Sequence, residues 1–409
     1  MAANRFNDVI LTGIKQGFSD VHIAGGQPLV YRKDGTIHYD RTLIWSYTEI
    51  DNLVRELLTA RQLHTLMQRW SVDCAMTLNR VRIRMNIFHT TRGLSLAIRL
   101  LPEVIPEIAS LNLHPSLKQI RDLKAGLVLV CGSTGSGKST TLAAILEEIN
   151  RTRAVHIITL EDPIEYRFQP KRAFIEQREV GVHVPSFKQG LLDVLREAPD
   201  IILVGELREP DTIRLTLTAA ESGHLVFASL HATDSEDAVY RINNAVPGES
   251  QDIVRYQFAS TLSWLIIQQL VHVESAGFRI PVLSILRDSV PVKNIIRENK
   301  LNQLETAMHT GRGEGMFTMD RYLNEFIATT TSFARPYKSA WNPDETGPEN
   351  DYKSPLIDPN AIQDIIYTAA VEAPKNLEKK SGDNDIHGQQ YIIEEASNLE
   401  EVLSELKSA

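Results

Sequence analysis

The segment Gly132-Ser-Thr-Gly-Ser-Gly-Lys-Ser139 constrains this chain more than any other stretch. It satisfies every fixed position of the phosphate-loop pattern: Gly, four residues, then Gly-Lys-Ser/Thr. The flanks agree. The apolar, β-type run Gly126–Cys131 leads in, and the helix-forming run Ser139–Glu148 leads out. Gly132, Gly135 and Gly137 let the backbone curl without Cβ clashes, so that successive N–H groups converge on one anion. The helix start adds the positive end of its dipole. Ser133, Thr134, Gly135, Ser136, Gly137, Lys138, Ser139 and Thr140 are therefore the expected phosphate-binding residues. Lys138 is expected to reach the β- and γ-phosphates, and the Ser139 hydroxyl to hold Mg²⁺. ATP and Mg²⁺ are the cofactors this pattern implies.

Downstream, acids and a histidine sit at the ends of apolar strands. Val155–Leu160 has the continuous apolar character of a buried parallel strand and runs into Glu161-Asp-Pro-Ile-Glu165. Carboxylates just past the C-terminal end of a strand, next to a phosphate loop, are where a water-activating base belongs. Asp200–Gly205 is another such strand and ends in Glu206, the expected neighbour of the metal or its water. Gly223–His231 is a fourth strand with a histidine at each end. His231 falls at the ligand edge, where a neutral imidazole can sense a terminal phosphate, and His224 reads as structural. Helices are expected at 187–195, 208–222, 235–245 and 250–270, the last ending in the apolar Trp264–Val271. A strand follows at Phe278–Leu286 and a helix from Pro291 to Arg297. The alternation predicts a doubly wound α/β sheet of RecA-like type over residues 113–338.

Residues 1–100 read as a smaller α+β module. A helical pattern at Arg5–Gln16 precedes a short strand, Ser19–Ile23, and Gly25-Gly26 turns the chain into Pro28–Arg32. Asp34-Gly35 is a hairpin signal. Ile50, Leu53, Val54, Leu57, Leu58, Leu63, Leu66 and Met67 recur at helical spacing. Val81–Phe88 alternates, so Arg82, Arg84 and Asn86 share one face, and Ser95–Leu100 adds Arg99. Two prolines, Pro102 and Pro106, mark a linker over 101–112.

The net charge of −9 is concentrated at the C-terminal end, where 15 Asp/Glu face five Lys/Arg from Trp341 onward. Residues 339–409 read as a flexible acidic extension. Within it Tyr391–Leu406 has the spacing of an acidic amphipathic helix suited to docking a partner. The nearly neutral remainder has no basic, aromatic-laced stretch, which argues against the alternative of a nucleic-acid-stimulated motor. The two cysteines, Cys74 and Cys131, are too few for a disulfide framework or a four-Cys zinc site and fit a reducing compartment. No apolar run approaches the ~18 residues of a membrane span. The first residues lack the layout of a secretory signal. A cytoplasmic location, with membrane contact only through partners, is the expectation.

With these motifs in order, the chain resembles the secretion ATPase superfamily of type II and type IV systems, and within it the type IV pilus retraction ATPases of the PilT and PilU kind. The resemblance runs from about Phe6 to Leu323. Ser19-Asp-Val-His, Gly26, Pro28, Arg32 and Asp34-Gly35 match the N-terminal module, which is PAS-like in that family. Gly132–Thr140 matches Walker A, Asp200–Glu206 an atypical Walker B, and Gly223–His231 the His box. Thr159–Glu165 matches the Asp box, whose last glutamate is catalytic, so the resemblance makes Glu165 the base. Arg82, Arg84 and Arg99 match arginines that approach nucleotide across a boundary as arginine fingers, and Gln177–Val180 is a further match. Val292–Arg297 and Met316–Asp320 resemble a signature linked to retraction, with Pro291 and Lys293 as departures, while Ala198-Pro-Asp200 and Leu230-His-Ala232 look PilU-like. The resemblance implies a homohexameric ATPase powering pilus retraction, acting on an inner-membrane platform protein and in some cases beside a second retraction ATPase. An accessory PilU-like subunit, or an ATPase energising a type II or IV secretion system, are the alternatives it leaves.

Overall fold

In the computed structural model, residues 2–33, 35–78, 81–101, 104–274 and 276–334 are described. The acidic extension 339–409, including Tyr391–Leu406, lies outside the described residues, as does Asp34 of the hairpin signal.

The N-terminal part is organised on a six-stranded antiparallel sheet. Its strands are β1 (Phe18–Ala24), β2 (Pro28–Lys33), β3 (Thr36–Ile44), β4 (Ser71–Leu78), β5 (Val81–Thr90) and β6 (Gly93–Leu100), in the order β3-β2-β1-β6-β5-β4. Helices α1 (Ala2–Gln16), α2 (Tyr47–Leu57) and α3 (Ala60–Arg69) accompany it. Two of them start at capping boxes, Ser46 with Glu49 and Thr59 with Gln62, which satisfy backbone donors at both helix starts. Strand alternation sorts β5. Ile83, Met85 and Ile87 pack with Phe6, Ile10, Ile50 and Leu53, so Arg82, Arg84 and Asn86 fall on the other face. On that face Arg84 stands directly opposite Arg99, which stands opposite Asp20. Like charges facing each other across a ladder repel, and here Asp73 and Asp20 offset them.

The larger sheet has seven strands: β7 (Gly126–Cys131), β8 (His156–Glu161), β9 (Phe174–Glu179), β10 (Ile201–Val204), β11 (Leu225–Leu230), β12 (Leu262–Val273) and β13 (Phe278–Arg287). Their order is β13-β12-β7-β11-β10-β8-β9, parallel except for the edge strand β13. Every residue of β7, β10 and β11 is buried, as expected of parallel strands covered on both faces. One face carries α5 (Phe187–Val194), α6 (Pro210–Glu221), α7 (Ser235–Asn244), α8 (Gly248–Thr261) and α9 (Val290–Arg297). The other carries α4 (Lys138–Thr152), the 3₁₀ segment Pro115–Asp122 and Tyr322. The sheet is thus doubly wound, and both sheets belong to one compact unit.

One element departs from the sequence expectation. The helix read over 250–270 ends at Thr261, and Leu262–Val273 is strand β12. A short continuous apolar run has no periodicity to separate a buried helix from a buried strand. Trp264, Ile266 and Ile267 favour the strand, and pairing beside β7 buries both faces of the run. No described helix is long and apolar enough to cross a membrane.

Candidate active site

Strand β7 delivers the chain to Gly132 at the C-terminal edge of the larger sheet. Gly132 has φ +151°, and a Cβ there would lie 2.4 Å from the Gln268 carbonyl oxygen. Gly137 has φ +90°, and a Cβ there would lie 2.8 Å from Gln268 Nε2, the movable end of a side chain. Gly132 is thus required by close approach to backbone, and Gly137 chiefly by its left-handed φ. Gly137 is also the N-cap of α4, and no side chain caps that helix. Its first N–H groups therefore point into the loop unclaimed, which is the arrangement an anion completes. Within the loop the Ser136 hydroxyl is buried with no partner among the described residues. Lys138 folds back over its own loop, donating to the carbonyls of Gly132 (2.8 Å) and Ser133 (3.0 Å). Burial lowers its pKa, against the pull of the Glu206 and Glu165 carboxylates. Ser133, Thr134, Gly135 and Ser139 are exposed on the open side.

The acids predicted at strand ends converge on this lysine from two directions. Glu206, two residues past β10, takes Arg208 Nη2 at 2.6 Å and His231 Nε2 at 3.1 Å. His231 follows β11, and partial burial, then the Lys138 ammonium, lower its pKa, which favours the neutral imidazole. Glu165 lies in the turn after β8, where Arg84 Nη1 of the smaller sheet reaches it at 3.4 Å. Glu161 ends β8 itself. It accepts from Thr159 Oγ1 (2.6 Å) and Gln177 Nε2 (3.1 Å), and burial pushes its carboxyl up to about 7. Asp162 is also raised by burial. His224 lies at the opposite end of β11 and bonds the Ala219 carbonyl, as a structural histidine would.

The three arginines part company. Arg84 bridges Asp73 and Glu165, and Arg99 pairs with Asp20 at 3.2 Å with about half of its side chain exposed. Arg82 is buried, with its guanidinium on Glu179 at 2.8 Å and on the Ile164 carbonyl at 3.0 Å.

Several residues here were invisible as site residues in the sequence. Gln268 of β12 is buried and joins two parts of the loop region, donating to the Ser136 carbonyl and accepting from Thr141 Oγ1, both at 2.7 Å. The register explains its position: Ile267 lies opposite Cys131, so the next residue meets Gly132. Tyr166 bonds Thr140 through its hydroxyl at 2.8 Å, and Gln177 donates to the Tyr166 carbonyl at 2.8 Å. The one available signal was the Gln177–Val180 match.

Mg²⁺ makes few protein contacts and keeps water and phosphate oxygens as its other ligands. Among the described residues no cluster of three or more His, Cys, Asp or Glu forms a closed metal cage. The exposed hydroxyl of Ser139 and the Glu206 carboxylate, partly exposed and now paired with Arg208 and His231, fit an ion held largely by its substrate.

The family model described as type II/IV secretion system protein matches residues 3–339. The type IV pilus retractation ATPase PilT of Pseudomonas aeruginosa is 36% identical over 78% of this chain and 93% of that protein. A twitching motility protein of Neisseria gonorrhoeae is 41% identical over 69% of this chain and 76% of that protein. Among solved structures, the pilus retraction motor PilT with bound ADP superposes with a TM-score of 0.69 at 34% identity, covering 81% of this chain and 97% of that one.

Proposed function

The chain belongs to the type II/IV secretion system protein family, and from that premise we propose that it is an ATP-hydrolysing motor of type IV pilus retraction, serving filament disassembly and twitching motility. The observation that carries the reading is the uncapped start of α4 with Glu206, His231 and Glu165 grouped about Lys138. The N–H groups from Ser133 to Thr140 cradle the phosphates and Lys138 leaves its own carbonyls to pair with them. Ser139 and Glu206 would hold Mg²⁺ or its water, and the bound ion would supply positive charge to the phosphate oxygens. Glu165 accepts the proton of the attacking water as the new P–O bond forms and ADP departs with the electrons of the broken one. His231, neutral beside Glu206, reports the terminal phosphate to the segment after β11. Arg84, now 3.4 Å from Glu165, and Arg99 turn to stabilise charge on a neighbouring subunit's nucleotide in a homohexamer.

In this reading residues 1–100 form a PAS-like module, joined by 101–112 to the RecA-like domain of 113–338. Closure of the first on the second at each turnover is the stroke that turns an inner-membrane platform protein. The protein works on the cytoplasmic side, reaching the membrane through that partner, and a second retraction ATPase can share the work. The test is a clean deletion complemented by wild type and by Glu206→Ala. The expected result is surface filaments that accumulate while twitching is lost, rescued by wild type alone. Filaments that vanish on deletion would instead identify an assembly or secretion ATPase. Full rescue by Glu206→Ala would make this chain an accessory subunit.

A further inference from the structure

Arg82 and Arg84 leave the same face of β5 two residues apart and grip consecutive residues of the turn after β8. Arg84 touches the Glu165 side chain, and its own side chain is 32% exposed. Arg82 touches the backbone before it and is 10% exposed, paired with a Glu179 that is 9% exposed. The contacts form a closed set. Arg82 Nε donates to the Ile164 carbonyl at 3.0 Å, Arg82 Nη2 meets Glu179 Oε2 at 2.8 Å, and the Ile164 N–H donates to that same oxygen at 3.1 Å. Both polar groups of the residue preceding Glu165 are thus held by one ion pair. Glu179 ends β9, and its N–H donates to His183 Nδ1 at 2.9 Å, which ties the carboxylate's own backbone down.

Taking two charges out of water is unfavourable, and such a pair survives only with good geometry and with its remaining hydrogen bonds made. Here Arg82 Nε and the second acceptor site of Glu179 Oε2 are both spent on the Ile164 peptide, so the pair fixes a backbone instead of a ligand. We propose that Arg82 is a positioning residue that sets Glu165 through Glu179 and the Ile164 peptide, and that it does not deliver its charge to nucleotide. This rests on the reading of Glu165 as the base. The two arginines then have separate roles. Arg82 is a fixed anchor between the two sheets, and Arg84, more exposed and one side chain away from the base, is the one able to exchange partners.

The test uses the full-length protein and separates turnover from binding. Arg82→Met, Glu179→Leu and the double variant are compared for kcat and for the Kd of ADP. Displacing the base by a fraction of its hydrogen-bond length lowers kcat by on the order of tenfold to a hundredfold. ADP affinity stays within about twofold, because the phosphate loop is untouched. The double variant loses no more than the worse single variant, since both residues act through one linkage. Should a single variant fail to fold around its unpaired buried charge, the double variant, with both charges removed, provides the same two readouts. Losses that multiply in the double variant, or a kcat unchanged in Arg82→Met, overturn the proposal. The base assignment fails separately: near-wild-type turnover in Glu165→Gln refutes it whatever Arg82 does.

Discussion

Replacing Gln268 by leucine tests whether the phosphate loop is shaped from outside. The side chain is buried at 1% exposure, and leucine fills nearly the same space without a polar atom. Two bonds disappear, one to the Ser136 carbonyl and one from Thr141 Oγ1. The threonine hydroxyl can turn back onto its own helix, to the carbonyl four residues earlier. The Ser136 carbonyl has no such substitute, and a buried acceptor left unsatisfied costs about 1–3 kcal/mol. The loop can recover that only by opening Ser136 toward water, which spoils the cradle. The cost then appears in nucleotide affinity, as roughly a fivefold to hundredfold rise in the Kd of ADP. Turnover at saturating ATP changes by less than about threefold, because no reacting group has moved. Titration with a fluorescent ADP analogue, beside circular dichroism to establish folding, is the assay. Gln268→Glu adds a signature: its ionised carboxylate cannot donate to Ser136, but its protonated form can, so affinity should recover as pH falls. A folded Gln268→Leu variant with wild-type affinity would refute the reasoning.

Two further outcomes follow from the same geometry. Glu161 is raised from 4.5 to about 7, so its contribution to stability is fully present below about pH 4.5 and is lost as pH rises through about 7. A gap of that size is worth at most about 3 kcal/mol, and partial exposure of the side chain reduces it to about 2; Glu161→Gln should therefore flatten the fall in urea-unfolding stability between pH 5 and 8, and an unchanged pH slope would refute this. Gly132→Ala drives a Cβ against the Gln268 carbonyl at a left-handed φ; it should lower ADP affinity by on the order of a hundredfold, measured by the same titration, and wild-type binding would show that the loop tolerates what its backbone excludes.

The legible part of this chain was the part where one residue type at one spacing has one physical use. Gly132, Gly137 and Lys138 fall in that class, and so do acids and a histidine at the ends of apolar strands, which is why Glu206 and His231 stand near Lys138 as the strand pattern suggested. Among the three carboxylates after β8 the pattern made no choice, and only the family resemblance singled out Glu165. The doubly wound sheet followed from the same alternation. What stayed hidden depends on contacts distant in sequence. Gln268 lies 132 residues from its partner Ser136, and nothing in an apolar run announces that one amide will face a glycine loop. The same run concealed the strand, because burial on both sides erases periodicity. Arg82 and Arg84 were legible as a shared face, but not as different roles, since that depends on which of them the opposing segment buries.

Strand β9 shows why the second half of the site is harder to read than the first. An edge strand of a parallel sheet would ordinarily be short of polar residues inside, yet Phe174–Glu179 reads Phe-Ile-Glu-Gln-Arg-Glu. Its outward residues guard the edge with charge, Glu176 on His156 and Arg178 on Glu197, which discourages pairing with another strand. Its inward residues hold the turn after β8 in place of a hydrophobic contact. Gln177 bonds Glu161, the Tyr166 carbonyl and the Phe168 N–H, and Glu179 bonds the Ile164 N–H. An apolar β9 would bury more surface but could not hold that turn, because van der Waals contact does not fix the orientation of a peptide and hydrogen bonds do. The polar composition of β9, which carries no strand signal in the sequence, is therefore the feature that fixes the turn leading to Glu165.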